Sequence, residues 1–136
     1  MFEFDRTQRL RSRKKIETLF KQGKGFLIFP ISVRYCVREG EGKVGVLITC
    51  PKRYHKLAVN RNRVKRLLRE NYRLNSEQIR QFAKQQNLSI DFSMTYVDKQ
   101  VPSFEKIQET VLQILERLHL EINTAQNKTD NEDKEN

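Results

Sequence analysis

The 136-residue chain predicts a single α/β domain followed by a loose acidic tail. Three observations carry that reading. Three stretches alternate apolar and polar residues with the period of two that marks a strand lying on a core. Four others space their apolar residues three and four apart, as a helix with one buried face does. No internal repeat and no Gly- or Pro-rich linker divides the chain, and its length suits one domain that buries a core without disulfide or metal staples.

The elements follow in order. Ser12 can cap a first helix over 13–22, with Ile16, Leu19 and Phe20 on one face and Gly23 as its stop. Phe26–Phe29 is extended and ends at Pro30. Ile31, Val33, Tyr35 and Val37 then alternate with Ser32, Arg34, Cys36 and Arg38 in a half-buried strand. Glu39-Gly40-Glu41-Gly42 is a turn of the kind that joins antiparallel strands, and Val44, Val46, Ile48 and Cys50 alternate in the returning strand. On that pairing Cys36 and Cys50 are buried small apolar residues on neighbouring strands.

A basic helix spans about Val59 to Leu74, with Val64, Leu67, Leu68 and Leu74 inward and Asn71 among them. Asn75-Ser76 punctuates it, and a short helix over Ser76–Gln86 turns Ile79 and Phe82 inward. Ser89–Val97 alternates again and is a strand. Pro102-Ser103 opens a last helix whose Phe104, Ile107, Val111, Ile114, Leu115, Leu118 and Ile122 form one stripe. The predicted domain covers residues 1–123. Residues 124–136, TAQNKTDNEDKEN, contain nothing to bury and are expected to be a disordered acidic tail.

Composition narrows the function. Apolar residues make up 37% and charged residues 32%, which describes a modest core under a heavily charged surface. Two cysteines cannot build a disulfide framework, and Cys36, Cys50, His55 and His119 lack zinc-site spacing. The opening MFEFDRTQRLRSRKK has no secretion-signal pattern, and no apolar run approaches the ~20 residues of a membrane span. A cytoplasmic protein with reduced thiols and no membrane partner is expected.

The net charge of +10 is unevenly spread. Residues 1–26 hold eight Lys/Arg against three acids, and residues 52–73 hold nine against Glu70 alone. Segment 74–123 and the tail are each net −2. Charge concentrated in two segments suits a polyanionic partner, and a solvated basic face kept for solubility is the plainer alternative. Arg9, Arg11, Arg13, Lys14 and Lys15 form the N-terminal cluster, either an RNA-binding arm or a solvated end. On the basic helix, Asn62, Arg66, Arg69 and Arg73 fall roughly 140–200° from Val64 with Lys65 beside them, a cationic stripe opposite the core. Guanidinium groups in a row track a phosphate backbone, whereas one alone would hold a single anion. Asn62 can donate and accept at once, so a base edge, a 2′-hydroxyl or a metal-bound water would each suit it.

The run Arg61-Asn62-Arg63, Lys65-Arg66 and Arg69 resembles the hallmark helix of the protein component of bacterial ribonuclease P. The likeness extends to Leu19-Phe20-Lys21-Gln22-Gly23, Val33–Val37, Lys43-Val44-Gly45 and Phe104–Leu118, and so covers about residues 7–120. The chain departs from the pattern in a longer stretch from Gly45 to Arg61, in Lys56-Leu57 where the family has Gly-Asn, and in Ile16 where Phe is frequent. The helix over 76–86 is a further addition.

The resemblance implies a single-domain α/β sandwich in α-β-β-β-α-β-α order with a left-handed βαβ crossover. It implies a ribonucleoprotein endoribonuclease that removes the 5′ leader of precursor tRNA. In that family the catalytic centre, with its Mg²⁺, belongs to the RNA subunit. This chain would contribute RNA contacts from Arg61, Asn62, Arg63, Lys65, Arg66, Arg69 and Arg73, with Lys52 and Arg53 of the basic segment. Phe20 and Tyr35, with Ile16 as a packing substitute, would hold the leader in a cleft between sheet and first helix. Aromatic stacking on unpaired bases is the usual way to hold single-stranded RNA.

The residues agree with that division of labour. A protein nuclease brings convergent carboxylates or a His pair, and none is legible here. Glu70 suits an intrahelical pair with Arg66 or Arg73, and both histidines suit structural or solvated roles. Two other classes compete: a ribosomal or ribosome-assembly protein, and a DNA-binding module using Val59–Leu74. The second is disfavoured because the stripe has few uncharged base-reading residues and no preceding helix stands at helix-turn-helix distance.

Overall fold

A computed structural model describes residues 9, 10 and 12–135, with side chains as far as Gln126. Arg11 of the N-terminal basic cluster and the last residue of the tail, Asn136, lie outside the described residues. The order is α1 (Arg13–Gln22), β1 (Lys24–Ile28), β2 (Ile31–Glu39), β3 (Lys43–Thr49), α2 (Ala58–Asn75), α3 (Glu77–Gln86), β4 (Leu88–Tyr96) and α4 (Phe104–Glu135). This is an α/β sandwich with one helix more than the seven-element order expected, because Glu77–Gln86 stands as a separate helix within the crossover.

The helices start where the sequence permits. Ser12 Oγ accepts the Lys15 amide 3.3 Å away, and the Gly23 amide closes α1 on the Leu19 carbonyl. Gly23 is required there for space: a Cβ would stand 2.9 Å from the Tyr35 carbonyl oxygen of β2. Asn87, in the left-handed region at φ 53°, ends α3 and turns the chain into β4.

The sheet order is β1-β2-β4-β3. β1 and β2 pair antiparallel through a turn containing the cis Phe29–Pro30 bond, β2 and β4 pair antiparallel, and β3 and β4 pair parallel. The expected pairing of β2 with β3 is therefore corrected: the Gly40–Gly42 turn reverses the chain, but β4 lies between the two strands. The reason is burial. β4 is covered along nearly its whole length, so Leu88–Tyr96 takes the central place that shields both faces. Cys36 opposes Asp91 on β4 and is half-buried, while Cys50 is buried beyond the end of β3; they are not on paired strands.

One face of the sheet carries the core. Ile31, Val33, Tyr35, Val44, Val46, Ile90, Phe92 and Met94 pack with Val64, Leu68 and Tyr72 of α2, Ile79 and Phe82 of α3, and the predicted stripe from Ile107 to Ile122 of α4. Tyr72 fills the position in the core expected of Leu74, which is exposed. Asn71 is buried with its amide donating to the Leu67 carbonyl. Helix α4 runs on through the segment expected to be a disordered tail and reaches Glu135. Asn123, Thr124 and Ala125 are exposed on it, so each further residue extends a helix already nucleated on the core.

Candidate nucleic-acid interface

Helix α2 lies over the sheet with Val64 and Leu68 inward, so its other side faces solvent. Asn62, Arg63 and Arg66 are exposed; Lys65, Arg69 and Arg73 are half-buried. Among the described residues no carboxylate pairs with Arg63, Lys65, Arg66 or Arg69. Arg73 differs. Its Nε donates to Glu70 Oε2 at 3.3 Å, and this bond holds the Glu70 carboxyl below its ordinary range. Arg61 is also engaged, its Nη1 donating to the carbonyls of His55 at 3.0 Å and Lys56 at 2.7 Å. It braces the loop before α2 against the helix. Lys52 and Arg53 lie exposed in that loop, with the Arg53 guanidinium 5.0 Å from the centre of the Tyr54 ring.

The N-terminal segment joins this surface. The Leu10 amide donates to the Val46 carbonyl at 2.9 Å, and Arg9 bridges to Val46 along the free edge of β3. That brings Arg9 toward α2, about sixty residues away in sequence. The Arg69 guanidinium is held below its ordinary pKa, first by burial and then by the charges of Arg9 and Arg66. Two like charges thus bear on a half-buried guanidinium that no carboxylate neutralises among the described residues. Such a cluster is stabilised by a multivalent anion.

The sheet face opposite the core is polar and mostly covered, and it opens into a groove beside the start of α1. Alternation along β2 sends Ser32, Arg34, Cys36 and Arg38 to this face, and along β4 Ser89, Asp91, Ser93 and Thr95. Helix α1 packs across it with Leu19 fully buried, Ile16 half-buried and Phe20 45% exposed. Beside the start of α1 is a cavity of about 210 Å³ lined by Arg9, Ser12, Lys15, Arg38 and Asp91 among others. Arg38 Nη2 donates to Asp91 Oδ2 at 2.8 Å. Burial raises the Asp91 carboxyl above its ordinary pKa, opposed by the charges of Arg38 and Lys15. Gly45 leaves room for this acid, since a Cβ there would stand 2.8 Å from Asp91 Oδ1.

The structure separates Tyr35 from Ile16 and Phe20. Tyr35 faces the core side, 8% exposed, and its hydroxyl donates to Glu121 Oε2 of α4 at 2.7 Å. Burial, and after it the bond to Glu121, raises its pKa far above the phenol range. Its ring lies 6.3 Å from that of Phe26, over which the Arg117 guanidinium sits at 4.4 Å. Consecutive strand residues point to opposite faces, so the neighbour that faces α1 is Arg34. Sequence reasoning misses Arg34, Arg38 and Asp91 as site residues, although the alternation that marks Tyr35 as a core position also places Arg34 and Arg38 on the other side.

Both histidines have structural partners. His55 is buried, its Nε2 2.8 Å from the Asp98 carbonyl and its ring beside Tyr96; His119 stacks on Phe82. Among the described residues no three His, Cys, Asp or Glu side chains converge as metal ligands, and no helix is long and apolar enough to cross a membrane.

Comparison with known proteins follows the same outline. A family model described as Ribonuclease P matches residues 4–119. The ribonuclease P protein component of Porphyromonas gingivalis strain W83 is 31% identical over 120 residues, covering 86% of this chain and 87% of that one. The corresponding component of Alkaliphilus oremlandii is 32% identical over 120 residues, covering 86% of this chain and 95% of that one. In fold, the chain is similar to the RNase P protein from Thermotoga maritima, with a TM-score of 0.65 at 24% identity over 80% of this chain and 96% of that one. The Staphylococcus aureus RNase P protein superposes with a TM-score of 0.63 at 19% identity over 82% of this chain and 94% of that one.

Proposed function

The chain belongs to the ribonuclease P protein family, and from that premise we propose how its surfaces divide the work of the ribonucleoprotein endoribonuclease that processes precursor tRNA. The exposed side of α2 docks on the ribonuclease P RNA. The polar groove beside α1, together with the exposed Phe20, holds the single-stranded 5′ leader of the precursor. Both events take place in the cytoplasm, where precursor and catalytic RNA are found together.

The observation that carries the first assignment is the convergence of Arg66 and Arg69 with Arg9, neither of the two helix residues being paired with a carboxylate among the described residues. Guanidinium forks there, with Arg63 and Lys65 on either side and Asn62 as a two-way hydrogen-bonding group, suit a succession of phosphates and 2′-hydroxyls. Lys52 and Arg53 extend the surface into the preceding loop. Arg61 and Arg73 serve it at one remove, Arg61 by bracing that loop and Arg73 by pairing with Glu70.

The groove assignment is supported by an aromatic left 45% exposed on a helix whose neighbouring apolar residue, Leu19, is fully buried. Phe20 offers a stacking face to an unpaired base, and Ile16 a smaller apolar contact. Arg9 and Lys15 supply positive charge beside the groove, and Arg38 is paired with Asp91. Tyr35, committed to Glu121 on the other face, is left out of the leader set.

The described side chains do not fit a resident Mg²⁺ ion. On this reading the metal ions are held by the RNA subunit and the substrate, and this chain binds, orients and neutralises charge.

Assembly with the cognate RNA tests the docking surface. Arg66→Ala and Arg69→Ala are each expected to weaken assembly and to reduce the slope of log K against log salt by about one unit for each phosphate left without its cation. Unchanged slopes in both variants would remove α2 from the RNA interface.

A further inference from the structure

Helix α1 borders the groove and carries the exposed Phe20, yet it is only ten residues long and has one fully buried side chain, Leu19. Leu19 and Leu10 lie outside the main core, which fills the other face of the sheet. A helix so lightly buried needs another anchor if its aromatic is to keep a fixed place. That anchor is on β2. Arg34 Nη2 donates to the Phe20 carbonyl at 3.0 Å and to the Gly23 carbonyl at 2.9 Å. The last carbonyls of a helix have no intrahelical partner and carry the negative end of its dipole, so a cation is the favoured group there.

Three features mark Arg34 as more than a surface cation. One nitrogen spans two carbonyls of the α1 end, one of them belonging to Phe20 itself. No carboxylate pairs with Arg34 among the described residues, so the helix end is its partner. Its Nε is buried without a hydrogen bond, a cost borne in holding the guanidinium at this angle.

We propose that Arg34 is a positioning residue for leader binding: by clamping the C-terminal turn of α1 to β2, it fixes where Phe20 meets the leader. The inference rests on the leader-groove reading above. It assigns Arg34 no contact with RNA.

The test uses the holoenzyme reconstituted with cognate RNA. Affinities for leader-bearing precursor and mature tRNA are measured across a salt series for wild type, Arg34→Gln, Arg34→Lys and Phe20→Ala. Amide hydrogen exchange is followed over residues 17–23 and over β4. Arg34→Gln is expected to weaken precursor binding about tenfold while leaving mature tRNA unaffected, in keeping with loss of a charge-assisted bond. The salt slope should stay at its wild-type value, and exchange should quicken in residues 17–23 but not in β4. Arg34→Lys, which keeps the charge and a single nitrogen able to serve both carbonyls, should retain most of the wild-type discrimination.

Unchanged precursor affinity in Arg34→Gln, with Phe20→Ala impaired, would overturn the positioning role and leave the groove standing. A salt slope lower by about one unit would make Arg34 a phosphate ligand and overturn the proposal equally. Unchanged leader discrimination in Phe20→Ala would remove the groove reading, and the proposal with it.

Discussion

On one face of the sheet Val33, Tyr35, Ile90, Phe92 and Met94 pack beneath α2, α3 and α4; on the other, Arg34, Arg38, Ser89, Asp91 and Ser93 meet the short helix α1. The backbone hydrogen bonds are shared by both faces, so the difference lies in the side chains alone. The apolar face removes large side chains from water and carries the stability of the domain. The polar face holds an acid whose ionised form is disfavoured by burial, an arginine committed to helix carbonyls and an aromatic left open to solvent. On the proposed reading, all three suit a groove that takes a ligand. On that reading the domain separates holding itself together from holding RNA by the two directions in which a strand points its residues.

The largest effect should follow from breaking the apolar face. Phe92 is fully buried at the centre of β4, edge-on to Tyr72 with ring centres 5.9 Å apart. Phe92→Ala is expected to cost about 3–5 kcal/mol of folding free energy, read from a urea denaturation midpoint. A loss below about 1 kcal/mol would mean that the core does not sit where the packing puts it.

Phe20→Ala probes the other face with the opposite signature. Its effect on stability should lie within about 0.5 kcal/mol, since the ring is half open to water. Precursor binding should fall about tenfold with mature tRNA little affected, the scale of one missing base stack. Tyr35→Phe sharpens the contrast: it should cost about 1–2 kcal/mol through loss of the bond to Glu121 and leave leader discrimination intact. Loss of leader discrimination in Tyr35→Phe would show that the two faces are not separate in function.

The strands and helices were legible from alternation and helical spacing because those signals are local. Ser12, Gly23 and the stripe from Ile107 to Ile122 are placed as the pattern requires. Sheet order was not legible in the same way. Whether β4 pairs with β2, or β3 does, depends on contacts about fifty residues apart, and the Gly40–Gly42 turn suits either arrangement. The cationic stripe on α2 could be counted off the helix, but three facts about it needed the fold. Arg61 turns back to brace a loop, Arg73 closes on Glu70, and Arg9 arrives from the N-terminus along the edge of β3. Tyr35 shows the limit most directly. Resemblance carried an aromatic into the groove, while the phase of its own strand, one residue out, placed Arg34 there.

The smallest expected effect concerns Glu70, whose pKa is lowered by the hydrogen bond from Arg73. A carboxyl depressed in the folded state adds stability above its unfolded pKa, near 4.3, and that contribution disappears as pH falls through the lower folded value. Glu70→Gln should therefore flatten the acid limb of stability against pH below about 4.3 and change nothing near neutrality but the pairing of Arg73. An acid limb identical to that of the wild type would show the pair to be without thermodynamic weight.

On the proposed reading, this chain supplies binding surfaces to a reaction whose catalytic centre lies in RNA. Precursor-tRNA cleavage at low Mg²⁺, with the cognate RNA alone, the protein alone and the two together, tests it most directly. Efficient cleavage by the pair only, leaving a mature 5′ end, is the predicted result. Cleavage by the protein alone, or a pair no faster than the RNA alone, would contradict it.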